Sequence, residues 1–300
     1  MNYLNKIILS MAKVLPKSVV KLFAKKYVAG ETIDDALSVA RQLNKLGFSV
    51  TLDILGEHVL NKEQSKYYTE QYVELYEKIS SNNLDANISV KPTHIGLDIS
   101  VDHFEKNLNK LIEFAKKSDN FLRIDMESSK ETDQTIKSTM KFQKRYKNIG
   151  TVMQAYLYRT IDDIDVLNGN KNLNIRLCKG IYKENKDIAI QSRDKINSNY
   201  IKIFRKVIGL EGFVALATHD VSLIQQLHEI IEDENIDKNT FEFQTLYGVP
   251  MKQILTSNKK LGFKTRIYVP FGPDWYDYSM RRLNENPNIA GYILKNFFNN

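Results

Sequence analysis

Sulfhydryls are nearly absent from this chain: Cys178 is its one cysteine. No internal disulfide framework can form, and a reducing compartment, the cytoplasm, is the expected setting. Long apolar runs are absent too, and none reaches the roughly 18 residues that a transmembrane helix needs. Neither Gly-x-Gly-x-x-Gly nor the Walker glycine pattern occurs. With no such turn to hold a pyrophosphate, an open doubly wound sheet is disfavoured. No low-complexity segment or Pro/Gly/Ser-rich linker divides the chain, which reads as one domain. Acidic residues are missing from positions 1–30, where six lysines stand. These account for six of the seven formal net positive charges. The rest is close to neutral and offers no nucleic-acid surface. The basic start does not read as a secretory signal: IILSMA is short, Lys13 interrupts it and no small-residue cleavage site follows. It reads as a solvated helix on the outer wall of the body. The other reading is a basic amphipathic helix resting on anionic lipid, a peripheral contact with the inner face of the cell membrane.

What is present is an alternation. Eight short apolar runs each stop on a polar residue: Asp53, Lys91, Asp125, Gln154, Lys179, His219, Gln244 and Tyr268. The stops lie roughly 24 to 40 residues apart, and helix-patterned sequence fills most gaps. Eight strand-then-helix units predict a (β/α)8 barrel, whose active site lies at the carboxyl ends of its strands. The polar stops would ring one pocket. Residues 1–46 are expected to form an N-terminal helical extension, with Ile33, Leu37, Ala40 and Leu43 at helical spacing, and residues 47–300 the barrel. Helices are expected near 61–80, 102–117, 130–147, 184–208, 220–235, 247–260 and 274–296. Gly47, Gly150, Gly212 and Gly262 each precede a strand, where a helix C-cap would sit.

Several residues carry chemistry. After Gly272-Pro273, Tyr278, Arg281 and Glu285 share one helix face, and Arg282 sits about 100° around the axis. Adjacent guanidinium forks suit bidentate capture of a small carboxylate, and a solvated Arg–Glu pair is the bland alternative. Lys91 can be a Schiff-base nucleophile or an anion anchor, and an adjacent Asp125 would favour the anchor. Arg176 and Cys178 share a strand face, whereas Lys179 points away or sits at the bend before Gly180. Two cations and a glycine suit an electron-rich ring or a phosphate, unless they form an interior salt bridge. His219 and Thr218 can hydrogen-bond a ligand. No two histidines stand at i and i+2, so no metal centre is expected. On these residues alone, a Schiff-base aldolase or lyase and a non-catalytic metabolite-binding barrel both remain open.

The segments LDILGE (52–57), ISVK (88–91), LRIDMESS (122–129), QAYLYR (154–159), RLCKGIYKE (176–184), ATHD (217–220), FEFQTLYG (241–248) and RIYVP…YSMRRLNEN (266–286) resemble proline dehydrogenase. The likeness is to the short monofunctional bacterial form and to the matching domain of the bifunctional proline utilisation enzyme. It runs from about residue 45 to 290 in conserved order. It implies a distorted (β/α)8 barrel with non-covalent FAD. The implied reaction is oxidation of L-proline to Δ1-pyrroline-5-carboxylate by hydride transfer to flavin N5. Electrons would pass to membrane quinone, and a separate pyrroline-5-carboxylate dehydrogenase would consume the product. By resemblance, Arg281, Arg282 and Lys91 hold the proline carboxylate, and Asp125 organises that end of the pocket. Tyr268, Tyr278 and Leu246 pack on the ring, Glu57 pairs with Arg281 as a gate, and Glu285 belongs to the same helix. FAD would meet Gln154, Arg176, Cys178, Lys179, Gly180, Tyr182, Thr218, His219 and Gln244. The chain departs from the familiar pattern at Cys178 and Ile181, where Val and Ala are frequent. It departs again at KPTHIG in place of KLTQLG, through Pro92 and His94.

Overall fold

The computed structural model describes residues 20, 21 and 24–285, with side chains to residue 280. The expected helices before residue 20, the extension of the last helix to 296, and the side chains of Arg281, Arg282 and Glu285 lie outside the described residues. Eight parallel strands close into a barrel in chain order. They are β1 (Ser49–Ile54), β2 (Ala86–Val90), β3 (Leu122–Ile124), β4 (Ile149–Gln154), β5 (Asn174–Cys178), β6 (Phe213–Ala217), β7 (Phe241–Leu246) and β8 (Thr265–Phe271). β1 meets β8 in continuous register, from Ser49 opposite Arg266 to Ile54 opposite Phe271. The expected barrel is therefore the observed one.

Alternate strand residues divide the labour, because successive side chains point to opposite faces. Val50, Leu52, Ile54, Ile88, Val90, Leu122, Ile124, Ile267 and Val269 form a dry layer under the helices. The intervening positions fill the lumen with paired polar groups. Thr51 donates to Asn87 Oδ1 at 2.6 Å, and Arg266 reaches Glu242 at 2.8 Å. Glu242 also accepts from Gln244 at 2.7 Å. Such pairing is the condition for burying these groups at all.

The helices are α1 (Ile33–Lys45), α2 (Lys62–Ser81), α3 (Val101–Lys117), α4 (Thr132–Gln143), α5 (Thr160–Leu167), α6 (Arg193–Gly209), α7 (Val221–Asp233), α8 (Lys252–Leu261) and α9 (Trp275–Glu285). α1 starts on a capping box made by Thr32 and Asp35. It buries Ile33, Ala36, Leu37 and Ala40 in the main core, and it packs on both β1 and β8. A helix preceding the first strand thus covers the seam of the barrel. The described part of the preceding segment is not on the outer wall. Ala29 N donates to Pro270 O, Gly272 N donates to Gly30 O, and Tyr27 and Val28 pack with Leu55 and Tyr278 beside the mouth.

Four local expectations change. α5 was not anticipated. The helix expected from residue 184 begins only at Arg193. Gly47 and Gly262 do end helices at positive φ, but Gly150 lies inside β4. At Gly212 the left-handed conformation belongs instead to Glu211, φ 57°.

Candidate active site

A cavity of about 480 Å³ opens at the carboxyl ends of the strands. Eleven of the anticipated residues line it: Asp125, Arg176, Cys178, Lys179, Gly180, Thr218, His219, Gln244, Leu246, Tyr268 and Tyr278. Met126, Val152, Ile181, Ala217 and Thr245 complete the wall and make it largely apolar.

Asp125 is the hub of its floor. It takes Ser89 Oγ at 2.5 Å and Arg176 Nη1 at 2.7 Å on one oxygen, and Tyr268 Oη at 3.0 Å on the other. Arg176 also reaches Gln244 Oε1 at 2.6 Å, and its guanidinium stacks 4.9 Å over the Tyr268 ring. Burial, together with Asp125 and Asp53, holds the Tyr268 phenol well above its ordinary pKa, so it stays a donor.

Lys91 lies just past β2 and outside the cavity wall. Its direct carboxylate partner is Asp53, at 2.7 Å, and not Asp125 as expected. β1 and β3 both flank β2, but Asp125 is already engaged by Ser89, Arg176 and Tyr268, and Lys91 pairs with Asp53 of β1 instead. Burial opposes the Lys91 charge, but Asp53, Asp125 and Glu127 outweigh it and raise the pKa. Asp53 is pushed up by its own burial, against the pull of Lys91 and with reinforcement from Asp125. Tyr72 adds its hydroxyl to Asp53 at 3.4 Å. Asp53 was visible in the sequence as a strand-end polar residue but was given no role there.

Lys179 does not join Arg176 in one cationic cradle. It bonds Asp220 Oδ2 at 2.5 Å, where Arg193 at 2.9 Å and Asn197 at 3.2 Å converge as well. Burial opposes the Asp220 charge, but Lys179, Arg193 and Asn197 hold its pKa below the usual carboxylate range. His219 accepts the Leu246 amide on Nε2 at 2.9 Å, which leaves its proton on Nδ1. Cys178 is half-buried on the cavity wall, and desolvation pushes its thiol up to about 11, so it stays protonated. Gly180 has φ +108°, and a Cβ there would fall 2.2 Å from the Tyr156 ring.

Gln154, Tyr182 and Glu57 stand apart from the cavity wall. Gln154 donates to Glu127 O at 2.9 Å. Glu57 lies in the loop after β1. The backbone of Arg281, Arg282 and Glu285 is helical, within α9.

A closed parallel barrel with polar side chains converging on a cavity at its strand ends is an enzyme scaffold. The family model described as proline dehydrogenase matches residues 36–293. Proline dehydrogenase 2 of Bacillus subtilis is 37% identical over 275 residues, covering 92% of this chain and 90% of that protein. Proline dehydrogenase of Deinococcus radiodurans is 29% identical, with 91% and 89% covered. The chain belongs to the proline dehydrogenase family. Among solved structures, proline utilization A from Bdellovibrio bacteriovorus, inactivated by N-propargylglycine, superposes with a TM-score of 0.81 at 24% identity. That match covers 88% of this chain and 32% of the longer one, and it supports the barrel fold.

Proposed function

We propose that this protein oxidises L-proline to Δ1-pyrroline-5-carboxylate with non-covalently held FAD. The observation that carries the reading is the Asp125–Arg176–Tyr268 cluster on the floor of a largely apolar slot. The residues fit a flavin. Met126, Val152 and Leu246 give flat apolar contact, and Arg176, Gln244, Thr218 and His219 offer polar edges. Gly180 lets the Tyr156 ring close against the backbone at the cavity wall, where a side chain would not fit. FAD, when bound, supplies the hydride-accepting N5 that no side chain can provide.

The chain's own groups aim and enclose the substrate. Lys91, kept charged by Asp53, offers one cation to the proline carboxylate, with Arg281 and Arg282 of α9 assigned to the same group. Tyr268, Tyr278 and Leu246 pack on the pyrrolidine ring, and Tyr268 is fixed by its bond to Asp125. Arg176 is assigned to the flavin edge, together with Gln154, Cys178, Lys179, Tyr182 and Gln244. Glu57 is assigned to pair with Arg281 as the closing gate over the mouth, which excludes water, and Glu285 belongs to the same helix as Arg281. Proline must lose its second ammonium proton before hydride leaves, so kcat/KM should rise with pH. Membrane quinone is the assigned acceptor, through peripheral contact with the membrane, and a separate pyrroline-5-carboxylate dehydrogenase takes the product. Among the described residues no helix is long and apolar enough to cross a membrane.

The test is spectroscopic. Purified protein should show a flavin spectrum that bleaches when L-proline is added without oxygen. Failure to bind FAD after reconstitution would overturn the proposal.

A further inference from the structure

The loop that leaves β1, residues 55–61, carries Glu57 and is anchored by two apolar side chains. Leu55 and Val59 are buried, whereas Leu60 is 75% exposed. Its backbone is unusual at two points. Gly56 has φ +151° and lies on the His94 ring, where a Cβ would come within 2.4 Å of Nε2. His58 is a non-glycine residue at φ 56°. A conformation of this kind persists only where the surroundings over-determine it.

The His58 ring pairs with Asp98 Oδ2 at 2.8 Å and the Leu55 amide donates to Phe271 O, but the backbone of His58 and Val59 is held by one threonine. Thr93 Oγ1 accepts the His58 amide at 2.9 Å, and Thr93 O accepts the Val59 amide at 3.2 Å. Thr93 is in turn gripped twice by Glu127. Its amide donates to Oε2 at 2.8 Å, and its hydroxyl donates to Oε1 at 2.6 Å. Glu127 is 1% exposed, and its carbonyl accepts Gln154 Nε2 at 2.9 Å. Among the described residues no arginine or lysine makes a direct ion pair with its carboxylate, whose acceptor sites face Thr93. A buried carboxylate in that situation is costly to keep, and burial raises its pKa to about 7. Thr93 also stands two residues after Lys91, on the same short segment.

We propose that Thr93 and Glu127 are positioning residues for proline oxidation. They hold the Glu57 loop at a fixed height over the mouth and tie that height to the segment bearing Lys91. The inference rests on the reading in which Glu57 and Lys91 serve the substrate end of the pocket.

The test uses FAD-loaded full-length protein. Thr93→Val removes the hydroxyl and both of its bonds at nearly constant volume. It should raise the KM for L-proline about tenfold, change kcat less than about threefold, and leave FAD per chain unchanged. Thr93→Ser, which keeps the hydroxyl, should restore most of the loss. In a Glu57→Gln background Thr93→Val should add nothing further, because the anchor acts through that loop. A wild-type KM in Thr93→Val, or effects that multiply in the double variant, would overturn the proposal. If Thr93→Val does not fold, Glu127→Gln replaces it, and a KM equal to wild type there has the same force. Hydrogen exchange reads the anchor without substrate. The His58 and Val59 amides should be protected in the wild type and exchange at least about tenfold faster in Thr93→Val. Unprotected amides in the wild type would refute the anchor even if proline is oxidised. Protected amides in a protein that ignores proline would refute the proposed substrate instead.

Discussion

Lys91 owes its charge to Asp53. Burial alone would drive an ammonium toward neutrality, and a carboxylate at 2.7 Å reverses that. Breaking a buried pair from one side leaves an uncompensated charge and costs about 3–5 kcal/mol. Lys91→Met leaves Asp53 as that charge, and its pKa, already raised, rises further. A carboxyl whose folded pKa exceeds its unfolded value contributes stability at low pH and loses it as pH climbs through the folded value. Lys91→Met should therefore melt closer to the wild type at pH 5.5 than at pH 8.5, as thermal denaturation at the two values would show. His94 has the opposite sign. Buried and pressed on Tyr68 at 4.0 Å, it is held neutral, with its pKa lowered by burial to about 3. The unfolded chain takes up a proton near 6.5, so stability falls as pH drops from there toward 3. Replacing His94 with Gln, the residue more familiar at this place, should flatten the acid limb of the stability curve. An unchanged acid midpoint would contradict it.

The strands were legible in the sequence because a sheet covered on its outer face by helices needs an unbroken apolar row there. Their polar stops were legible because only a mouth or a paired lumen tolerates them. Which stop pairs with which was not legible. Lys91 chooses Asp53 and Lys179 chooses Asp220 through spatial adjacency that sequence spacing does not encode. α5 escaped because eight residues give barely two turns of periodicity. Residues 184–192 failed as helix for a different reason: their polar groups are already committed. Glu184 takes the amide and hydroxyl of Ser129, Ile190 N donates to Tyr156 O, and Leu157 bridges Ala189. The chain leaves the cavity wall for this segment just after Gly180, which stands at positive φ. Gly180→Ala must place a methyl against Tyr156 at positive φ, a strain of about 1–3 kcal/mol. The variant should fold, retain proline-independent properties such as its far-ultraviolet spectrum, and bind FAD several-fold more weakly in a titration.

At the scale of the whole molecule, the helix that follows β8 does not seal the barrel. α1, which precedes β1, packs on β1 and β8 together, so the seam is closed from the N-terminal side. That arrangement releases α9 from the wall. Tyr278 of α9 turns onto the cavity and packs with Tyr27, Val28 and Leu55. Residues 24–30 and 33–45 thus do different work within 25 positions of sequence. The first group braces the mouth, where Gly248 meets the Lys26 carbonyl so closely that a Cβ would lie 1.7 Å from it. The second group is barrel wall. Starting the chain at Thr32 removes the brace and keeps the capping residue of α1. That protein should fold cooperatively, with a raised KM for L-proline and a modestly lowered Tm. Starting at Leu46 strips the cover from Val50, Leu52, Ile267 and Val269, and each large buried side chain already counts for about 1.5–3 kcal/mol. Against a total stability of about 5–15 kcal/mol, the loss of four helix residues from that layer is not survivable. The shorter chain should be insoluble or lack a thermal transition, as calorimetry of the two truncations side by side would show. A cooperative, flavin-binding protein beginning at Leu46 would mean that the seam closes without α1, and that the last helix is held over the mouth by something other than its exclusion from the wall.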